Sequence, residues 1–371
     1  MVSRIFSPCP DIVSDNEIPA IIWLSKTLGK PQDDGSVLEI LKRIRQGETL
    51  YEEGFVLKRN GKLRKILKPV PELKKIQREI NRRVLSDLIV HPNVSGFSGG
   101  QLHDAIRPHL NAKSIFCTDI KDAFPSVTYN DVFRCLTKGR EYELTYDISD
   151  SYYVYDEEWD DFFPCIIGRK RFKILNHGFL SWYAAQIVTE IATAKDAYGR
   201  LRLAQGFPTS PRLFDAQMEP IDIKLTHLAQ NVEGVYTRFA DNIHFSMQEE
   251  EFPGEVARAI LKTIEGRGRN LWSNKYECHK TRSFKTDGQA VRILGLNIID
   301  GKIHNTRAFK RAVRLSIHHV KWFLERGIID TEEFEHAYRK LNGQMGFAVP
   351  ETFPVKLLDD YSQIKKTYKD L

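Results

Sequence analysis

The stretch "YTRFADNIHFS", residues 236–246, decides the fold, because it is either an ordinary hairpin or part of an active site. β-Branched and aromatic residues are concentrated in Val235 to Phe239 and again in Ile243 to Met247, which predicts two strands. The tripeptide 240–242, Ala-Asp-Asn, predicts a tight turn between them, since Asp and Asn tolerate positive φ. Taken alone, the stretch leaves both interpretations open, and in the second one a carboxylate has been lost from the site.

Length and composition bound the class of protein. The chain has 371 residues, enough for two or three subdomains around a sizeable core, and its 42% hydrophobic and 28% charged residues are typical of a globular protein. Its N-terminus lacks the apolar core of a signal peptide, and no apolar run reaches the about 20 residues of a membrane-spanning helix. The five cysteines are scattered without a C-x-x-C pair, which indicates a reducing interior and disfavours a zinc site or disulfide framework. We therefore expect a cytoplasmic protein without membrane contact.

Residues 51–83 carry a pronounced positive charge. The segment "FVLKRNGKLRKILKP" predicts a hairpin turning at Asn60-Gly61, and a helix is predicted to begin near Pro71. Lys and Arg far outnumber the two glutamates between Lys58 and Arg83. A solvated face explains part of this excess, but a hairpin and a helix that share the bias favour phosphate contact.

Two further segments place polar groups where a strand or loop meets a helix. In "SIFCTDIKDAFPSV", residues 114–127, the carboxylate of Asp119 follows Ile115 and Cys117 on one face of a predicted strand. Thr128 and Asp131 then form a predicted capping box for the next helix. In "AQGFPTSPRLFDAQMEPID", residues 204–222, Ser210 is the predicted N-cap of a helix with Pro at its first position. The bent loop before that positive helix end suits phosphate or base contacts.

The C-terminal residues are predicted to be helical. In the first helix, residues 305–327, an apolar stripe from Phe309 to Leu324 faces the core, and basic residues lie mainly on the opposite side. That basic side is either a solvated face or a track for a nucleic-acid backbone. The second helix begins with acidic residues and is predicted to stop at Asn342-Gly343.

The order of these segments resembles that of a reverse transcriptase from about Tyr51 to the C-terminus. The matching segments are "GKLRKILKPVPELKKIQREI" for the fingers, "DIKDAFPSV" for motif A, "QGFPTSP" for motif B, "YTRFADN" for motif C, "HKTR" for motif D and "ILGL" for motif E. The resemblance implies an α+β right-hand polymerase with an antiparallel palm sheet and a helical thumb. Its implied domains are a helical N-terminal lead-in (1–50), fingers and palm (51–299) and the thumb (300–371).

The resemblance also implies roles for individual residues. Asp119 and Asp241, with the Ile120 backbone and Asn242, would hold two Mg²⁺ ions about 3.5–4 Å apart, as two-metal nucleotidyl transfer requires. Lys280 would protonate the departing pyrophosphate, and Phe124 would exclude a 2′-hydroxyl. The implied nucleotide-binding residues are Arg64, Ile120, Asp122, Ala123, Phe124 and Gln205. The implied RNA-binding residues are Lys58, Arg78, Arg307, Lys310, Arg311 and Arg314.

Asn242 departs from the family pattern, which usually has a second Asp at this position. An amide oxygen can coordinate a hard cation but adds no negative charge. Three interpretations follow: a tolerated natural variant, an inactivated enzyme kept as an RNA-binding scaffold, or a deliberate substitution that traps a complex. The intact remainder of the motifs favours an active site over a decayed one.

The subtype resembles the bacterial retron enzymes. The segment "GFSGGQLHDAIRPH", residues 96–109, is close to a retron pattern that ends at His109, although Asp104 stands where Asn is usual. Residues 293–295, Ile-Leu-Gly, also replace the retron Val-Thr-Gly. The alternative is a defence-associated reverse transcriptase outside the retrons. The implied partners are a structured non-coding RNA as template and primer, an RNA–DNA duplex, deoxynucleoside triphosphates and an effector protein in antiphage defence.

Overall fold

The computed structural model describes most of the chain in twelve ranges of residues. They are 13–29, 36–57, 61, 63–88, 91–96, 102–137, 142–146, 151–156, 161–166, 179–266, 276–286 and 289–370. Lys58 and Asn60, which belong to the predicted basic hairpin, lie outside the described residues.

Helices occupy both ends of the chain and cover one face of the central sheet. They are α1 (Ile18–Thr27), α2 (Ser36–Arg45), α3 (Pro71–Arg83), α4 (Leu102–Ile106), α5 (Ala123–Ser126), α6 (Tyr129–Thr137), α7 (Trp182–Ala192), α8 (Ser210–Asn231), α9 (Gly254–Glu265), α10 (Arg307–Glu325), α11 (Glu332–Phe347) and α12 (Val355–Asp370).

The strands form one central sheet and four smaller sheets. They are β1 (Tyr51–Leu57), β2 (Leu63–Pro69), β3 (Val94–Ser95), β4 (Ser114–Ile120), β5 (Tyr142–Tyr146), β6 (Ser151–Asp156), β7 (Asp161–Ile166), β8 (Thr193–Lys195), β9 (Leu201–Leu203), β10 (Val235–Phe239), β11 (Asn242–Met247), β12 (Cys278–Lys285), β13 (Val291–Ile293), β14 (Leu296–Ile299) and β15 (Lys302–Asn305).

The central sheet has the order β12-β4-β11-β10-β3 and is antiparallel apart from the β10–β3 pair. Its strands alternate between two faces because successive side chains point in opposite directions. On one face, Phe116, Tyr236 and Phe245 belong to the main hydrophobic core, which also includes residues of α3, α6, α7, α8 and α9. On the other face, Ile115 packs with residues of β13 and β14 in a smaller core. Asp119 lies on this second face, which leaves the carboxylate outside the main core.

The fingers segment is a hairpin followed by a helix, as predicted. Strands β1 and β2 pair antiparallel from Tyr51 opposite Pro69 to Leu57 opposite Leu63. Helix α3 begins at Pro71, whose fixed φ suits the first helical turn, and buries Leu73, Ile76 and Ile80 against the main core.

The thumb has its own hydrophobic core, built from α10, α11 and α12. Val313, Ile317 and Val320 of the predicted apolar stripe are buried in it. The predicted stop at Asn342-Gly343 is wrong, because α11 continues to Phe347. Tyr361 of α12 donates a hydrogen bond to Asn342 Oδ1 (2.5 Å), and Phe347 packs its ring edge-on to Phe309 (5.0 Å). These tertiary contacts outweigh the local preference of Asn-Gly to end a helix.

Other predicted boundaries differ from the structure by one or two residues: β11 begins at Asn242 and not at Ile243, and α10 spans Arg307–Glu325 within the predicted 305–327. Thr128 and Asp131 form the capping box: Thr128 N donates to Asp131 Oδ2 (2.8 Å), and Asp131 N donates to Thr128 Oγ1 (3.3 Å). The N-cap of α8 is Thr209 and not Ser210, so Pro211 is the second helical residue. Both positions satisfy the same rule, because Pro lacks only an N–H that the first helical turn leaves unbonded. The expected α+β right-hand architecture, with an antiparallel palm sheet and a helical thumb, is confirmed.

Candidate active site

The two predicted metal-binding carboxylates lie at the same end of neighbouring strands. Strand β11 pairs antiparallel with β4, and this register places Asn242 opposite Asp119. Ile120 N donates a hydrogen bond to Asp241 O (3.0 Å), so the β10–β11 turn is fastened to the end of β4. Asp119 and the turn that bears Asp241 therefore lie at the same end of two adjacent antiparallel strands.

Asn242 supports its neighbour through its side-chain amide. Asn242 Nδ2 donates a hydrogen bond to Asp241 Oδ1 (2.9 Å) and a longer one to Phe239 O (3.4 Å). A carboxylate at position 242 could donate neither bond when ionised. The amide therefore neutralises no charge at the turn, but it orients the Asp241 carboxylate.

The electrostatics of the turn favour a bound cation. Burial raises the pKa of Asp241, and the negative charge of Asp119 raises it further, while Arg64 and Lys280 act in the opposite direction. Two carboxylates close enough to repel each other are stabilised in their ionised forms by a cation between them.

Asp119 contacts two residues of β12. Lys280 Nζ donates a hydrogen bond to Asp119 Oδ2 (2.6 Å). His279 Nδ1 lies against Asp119 Oδ1, but the two groups are not aligned for a hydrogen bond, and this buried oxygen accepts none from the described residues. The contacts arise at a register shift in the β12–β4 pairing between His279 and Arg282. Such irregularities re-aim side chains beside active sites.

Backbone strain is concentrated at this site. Six described non-glycine residues have a positive φ, and three of them are Asp122 (46°), Ala240 (57°) and Lys280 (54°). A left-handed conformation costs a non-glycine residue about 1–2 kcal/mol, so it persists where surrounding contacts enforce it. The three residues come from motifs A, C and D, which this geometry brings together.

Four of the six predicted nucleotide-binding residues lie at the end of β4 or directly after it. Asp122 precedes the short helix α5, in which Ala123 is buried and Phe124 is half-buried. The Phe124 ring packs edge-on to Phe214 of α8, with ring centroids 5.6 Å apart. Ile120 is buried at the end of β4. The segment therefore has one packed aromatic ring beside an exposed residue, Asp122.

The loop that contains Gln205 is bonded to strand β2 of the fingers. Leu67 N donates a hydrogen bond to Gln205 O (2.8 Å), which joins β2 to the loop before α8. Gly206 follows with a φ of 114°, and a Cβ at this position would lie 2.3 Å from Leu67 O. Glycine is therefore required here both by conformation and by the close approach of the two backbones. Arg64, on the same strand β2, is exposed and influences the charge of Asp241.

The predicted RNA-binding residues that the structure describes lie on α3 and α10. Arg78 is exposed on α3, and Arg307, Arg311 and Arg314 are exposed on α10. Lys310 is half-buried, with its Nζ above the Phe353 ring (5.9 Å from the centroid). The structure thus brings the catalytic candidates together and leaves a separate basic face on the thumb.

Sequence reasoning missed a buried polar cluster under the hairpin. His109 Nδ1 contacts Ser246 Oγ (2.7 Å), and its Nε2 contacts Thr237 Oγ1 (2.8 Å), which itself donates to Ala105 O (2.7 Å). Because Thr237 uses its hydrogen for Ala105, Nε2 must be the protonated nitrogen and Nδ1 the acceptor. Burial lowers the pKa of His109 to about 3. The motif that ends at His109 was the only sequence signal for this cluster.

Two features are absent from the described residues, a cluster of metal-binding side chains and a membrane-spanning helix. Among these residues, no group of three or more His, Cys, Asp or Glu side chains is arranged to hold a metal ion. No described helix combines the length and the apolar character that crossing a membrane requires.

Residues 56–298 match the family model described as reverse transcriptase (RNA-dependent DNA polymerase). The retron Mx162 reverse transcriptase of Myxococcus xanthus is 32% identical over 212 residues, which cover 55% of this chain and 37% of that protein. The retron Ec86 and Ec73 reverse transcriptases of Escherichia coli are 25% and 24% identical, over 70% and 85% of this chain and 66% and 88% of theirs. For Mx162 and Ec86, the matched region spans between about a third and two-thirds of the relative's length.

Solved structures with a similar fold include a telomerase from Candida albicans in complex with a fragment of telomeric RNA. That structure has a TM-score of 0.43 and 14% identity over 94% of this chain and 64% of its own. The foamy viral protease–reverse transcriptase has a TM-score of 0.33 and 17% identity over 74% of this chain and 35% of its own.

Proposed function

This chain belongs to the reverse transcriptase family, and we propose that it is an RNA-directed DNA polymerase of the retron type that copies a structured non-coding RNA into DNA. The observation that carries the proposal is the position of Asp119 directly across the β4–β11 pair from the turn that bears Asp241. Similarity to several retron enzymes favours this type over other defence-associated reverse transcriptases.

The donor groups fit a divalent cation. Asp119 Oδ1 is buried and accepts no hydrogen bond from the described residues, and the pKa of Asp241 is raised by burial and by Asp119. We infer that Asp119, Asp241, the Ile120 carbonyl and the Asn242 amide oxygen hold Mg²⁺, because carboxylate, amide and carbonyl oxygens suit this hard ion. Two bound Mg²⁺ ions would activate the primer 3′-hydroxyl and neutralise the triphosphate.

The chain's own groups supply binding and orientation. Asn242 Nδ2 orients Asp241, and Lys280 neutralises Asp119 until a cation competes for that carboxylate. The Lys280 ammonium can then give its proton to the departing pyrophosphate, because its four-carbon side chain is exposed and flexible.

Nucleotide selection is proposed for the region between the fingers and α8. Arg64 suits a base face and a phosphate, because its guanidinium is planar and always charged. The backbone N–H groups of Asp122 and Ala123 would face the triphosphate, whereas Ile120 N already donates to Asp241 O and leaves Ile120 only its carbonyl for this site. Gln205, which the fingers hold through Leu67, would lie beside the base, and the Phe124 ring would leave no room for a 2′-hydroxyl.

RNA binding is proposed for the basic surfaces of the fingers and the thumb. Lys and Arg contacts to phosphates release counterions and supply salt-dependent affinity. The residues proposed are Lys58, Arg78, Arg307, Lys310, Arg311 and Arg314. The fingers and palm (51–299) would then carry the chemistry and the thumb (300–371) would hold the RNA–DNA duplex, after a helical lead-in (1–50). Strand β15, Lys302–Asn305, completes the β13–β14–β15 sheet, so the helical part of the thumb begins at α10.

The proposal also includes an effector protein as partner, a role in antiphage defence and a cytoplasmic location. These three parts rest on the resemblance to retron enzymes. The second candidate function is an RNA-binding scaffold with a weakened palm. It is favoured by one observation, the amide at position 242 in place of the charge that the family pattern has there.

Primer extension tests the proposal. The purified protein is given a primed RNA template, deoxynucleoside triphosphates and Mg²⁺, and the extended DNA is measured. Asp241→Asn and Asp119→Asn should abolish extension, whereas Asp330→Asn on the exposed surface should leave it unchanged. RNA binding without extension by the unaltered protein would favour the scaffold. Sequencing of the nucleic acid that co-purifies identifies the RNA.

A further inference from the structure

Arg238 is a fully buried arginine on β10, two residues before the turn of the candidate site. Its Nε and Nη2 donate to Asp222 Oδ1 and Oδ2, both at 2.8 Å, and its Nη1 donates to Asp215 Oδ1 (2.9 Å). Both aspartates belong to α8 and are themselves buried. Nη1 also donates to Ala240 O (2.7 Å), which lies in the turn next to Asp241.

Stability alone does not explain this group. A buried ion pair contributes little net stability, because the cost of removing the charges from water offsets their attraction, and apolar residues of similar volume often do as well. The fork shape of the guanidinium does matter, since one side chain here reaches two carboxylates and a backbone carbonyl at once. A lysine could not make these four bonds.

The carbonyl that Arg238 holds belongs to a strained residue. Ala240 has a φ of 57° at the first position of a two-residue turn, where glycine is preferred. Its backbone is held on one side by Ser95 O, to which Ala240 N donates (3.3 Å), and Asp241 O accepts from Ile120 N (3.0 Å). The bond from Arg238 links this turn to α8, the helix that follows Gln205 and Gly206, because the same guanidinium is also bonded to two aspartates of that helix.

We propose that Arg238 is a positioning residue that fixes the Asp241 turn relative to α8, so that the metal-binding and nucleotide-binding groups keep one geometry. This proposal rests on the proposed polymerase function. Misplacement of a reacting group by about 1 Å can cost about 10²-fold in rate, so a loosened turn should be visible in catalysis.

The test compares two matched substitutions in the full-length protein. Arg238→Lys keeps the charge but loses the fork. Arg45→Lys makes the same change at a half-buried arginine, whose guanidinium bonds Glu17 and Glu190 far from the turn along the chain. Both variants are measured for thermal unfolding, RNA binding, Mn²⁺ binding and single-turnover primer extension. Mn²⁺ binding is followed by the electron paramagnetic resonance signal of the free ion.

Arg238→Lys should weaken Mn²⁺ binding and lower the extension rate at saturating nucleotide by about 10²-fold, with the half-saturating nucleotide concentration and RNA affinity little changed. Arg45→Lys should change neither Mn²⁺ binding nor rate.

A second variant, Arg238→Met with Asp215→Asn and Asp222→Asn, removes the buried charges together but leaves Ala240 O without its donor. It should fold and still bind Mn²⁺ poorly.

Normal Mn²⁺ binding and extension by either Arg238 variant would overturn the proposal, as would equal losses in the Arg45 control. Measurements on the unaltered protein distinguish a failure of the proposed polymerase function from a failure of the proposed role of Arg238. If it binds Mn²⁺ but never extends a primer, the proposed polymerase function fails, while the Mn²⁺ titration still decides the role of Arg238.

Discussion

Replacing Asn242 by aspartate should speed up catalysis while it destabilises the metal-free protein. In the present structure Asn242 Nδ2 donates to Asp241 Oδ1 at 2.9 Å. Asn242→Asp removes a hydrogen bond to a charged group, which is worth about 1.5–3 kcal/mol. It also places two carboxylates side by side, at a repulsion of up to about 4 kcal/mol for charges about 4 Å apart in an effective dielectric of about 20. Partial protonation of the pair reduces this loss, so we expect a clearly lower melting temperature without Mg²⁺.

When Mg²⁺ is bound, the added carboxylate should be favourable instead of destabilising. The added carboxylate faces Asp119 across the β4–β11 pair, where positive charge would be bound. Removal of one preorganised electrostatic group costs other enzymes about 10²–10³ in rate, so its restoration should accelerate extension by a similar factor. An increase of 10² corresponds to about 2.7 kcal/mol of transition-state stabilisation. The Mg²⁺ concentration at half-maximal rate should also fall.

The assay is single-turnover extension of a primed RNA template across a Mg²⁺ titration, with melting temperature measured at each concentration. Asn297→Asp on β14 is the control for an added charge elsewhere in the chain. Asp241→Ala should eliminate extension with either residue at position 242. If Asn242→Asp is no faster than the present sequence, the amide is a competent ligand and the charge argument is refuted.

Three further predictions concern nucleotide choice, pH and salt. Phe124→Ala should raise the incorporation of ribonucleotides relative to deoxynucleotides without changing RNA affinity; an unchanged ratio in an active protein would mean that the ring only packs against α8. His109→Gln should make the free energy of unfolding less sensitive to acid. Burial lowers the pKa of His109 to about 3, so its neutral form contributes stability above about pH 6.5. This stability is lost by up to about 1.4 kcal/mol per pH unit as the pH falls towards 3. Denaturation between pH 7 and pH 5 measures this, and the exposed His336→Gln should keep the original slope. Arg314→Gln on the thumb should lower the salt slope of RNA binding by about 1, whereas Arg339→Gln, whose guanidinium bonds Glu335, should leave it unchanged in the same titration.

Local sequence patterns were sufficient for most individual elements. Each of these elements depends on residues that are close together in the sequence. Examples are the hairpin at 235–247, the strand ending at Asp119 and the capping box at Thr128. Such contacts follow from side-chain alternation and from short polar side chains at helix ends. The same local rule misplaced the end of α11, since it could not include Tyr361, 19 residues away from Asn342.

The sequence alone also determined which residue types were available to the site, because the order of the motifs identified Asp119, Asp241 and Lys280. Only the tertiary structure decided which of them meet and what holds them. Asp119 and Lys280 are 161 residues apart in the chain and 2.6 Å apart at their side-chain ends. The partners of Arg238 lie on another element, 16 and 23 residues earlier, and the bond between Leu67 and Gln205 joins the fingers to the palm. A sequence pattern reports the period of one element, whereas these contacts depend on how separate elements pack, and packing depends on the whole core.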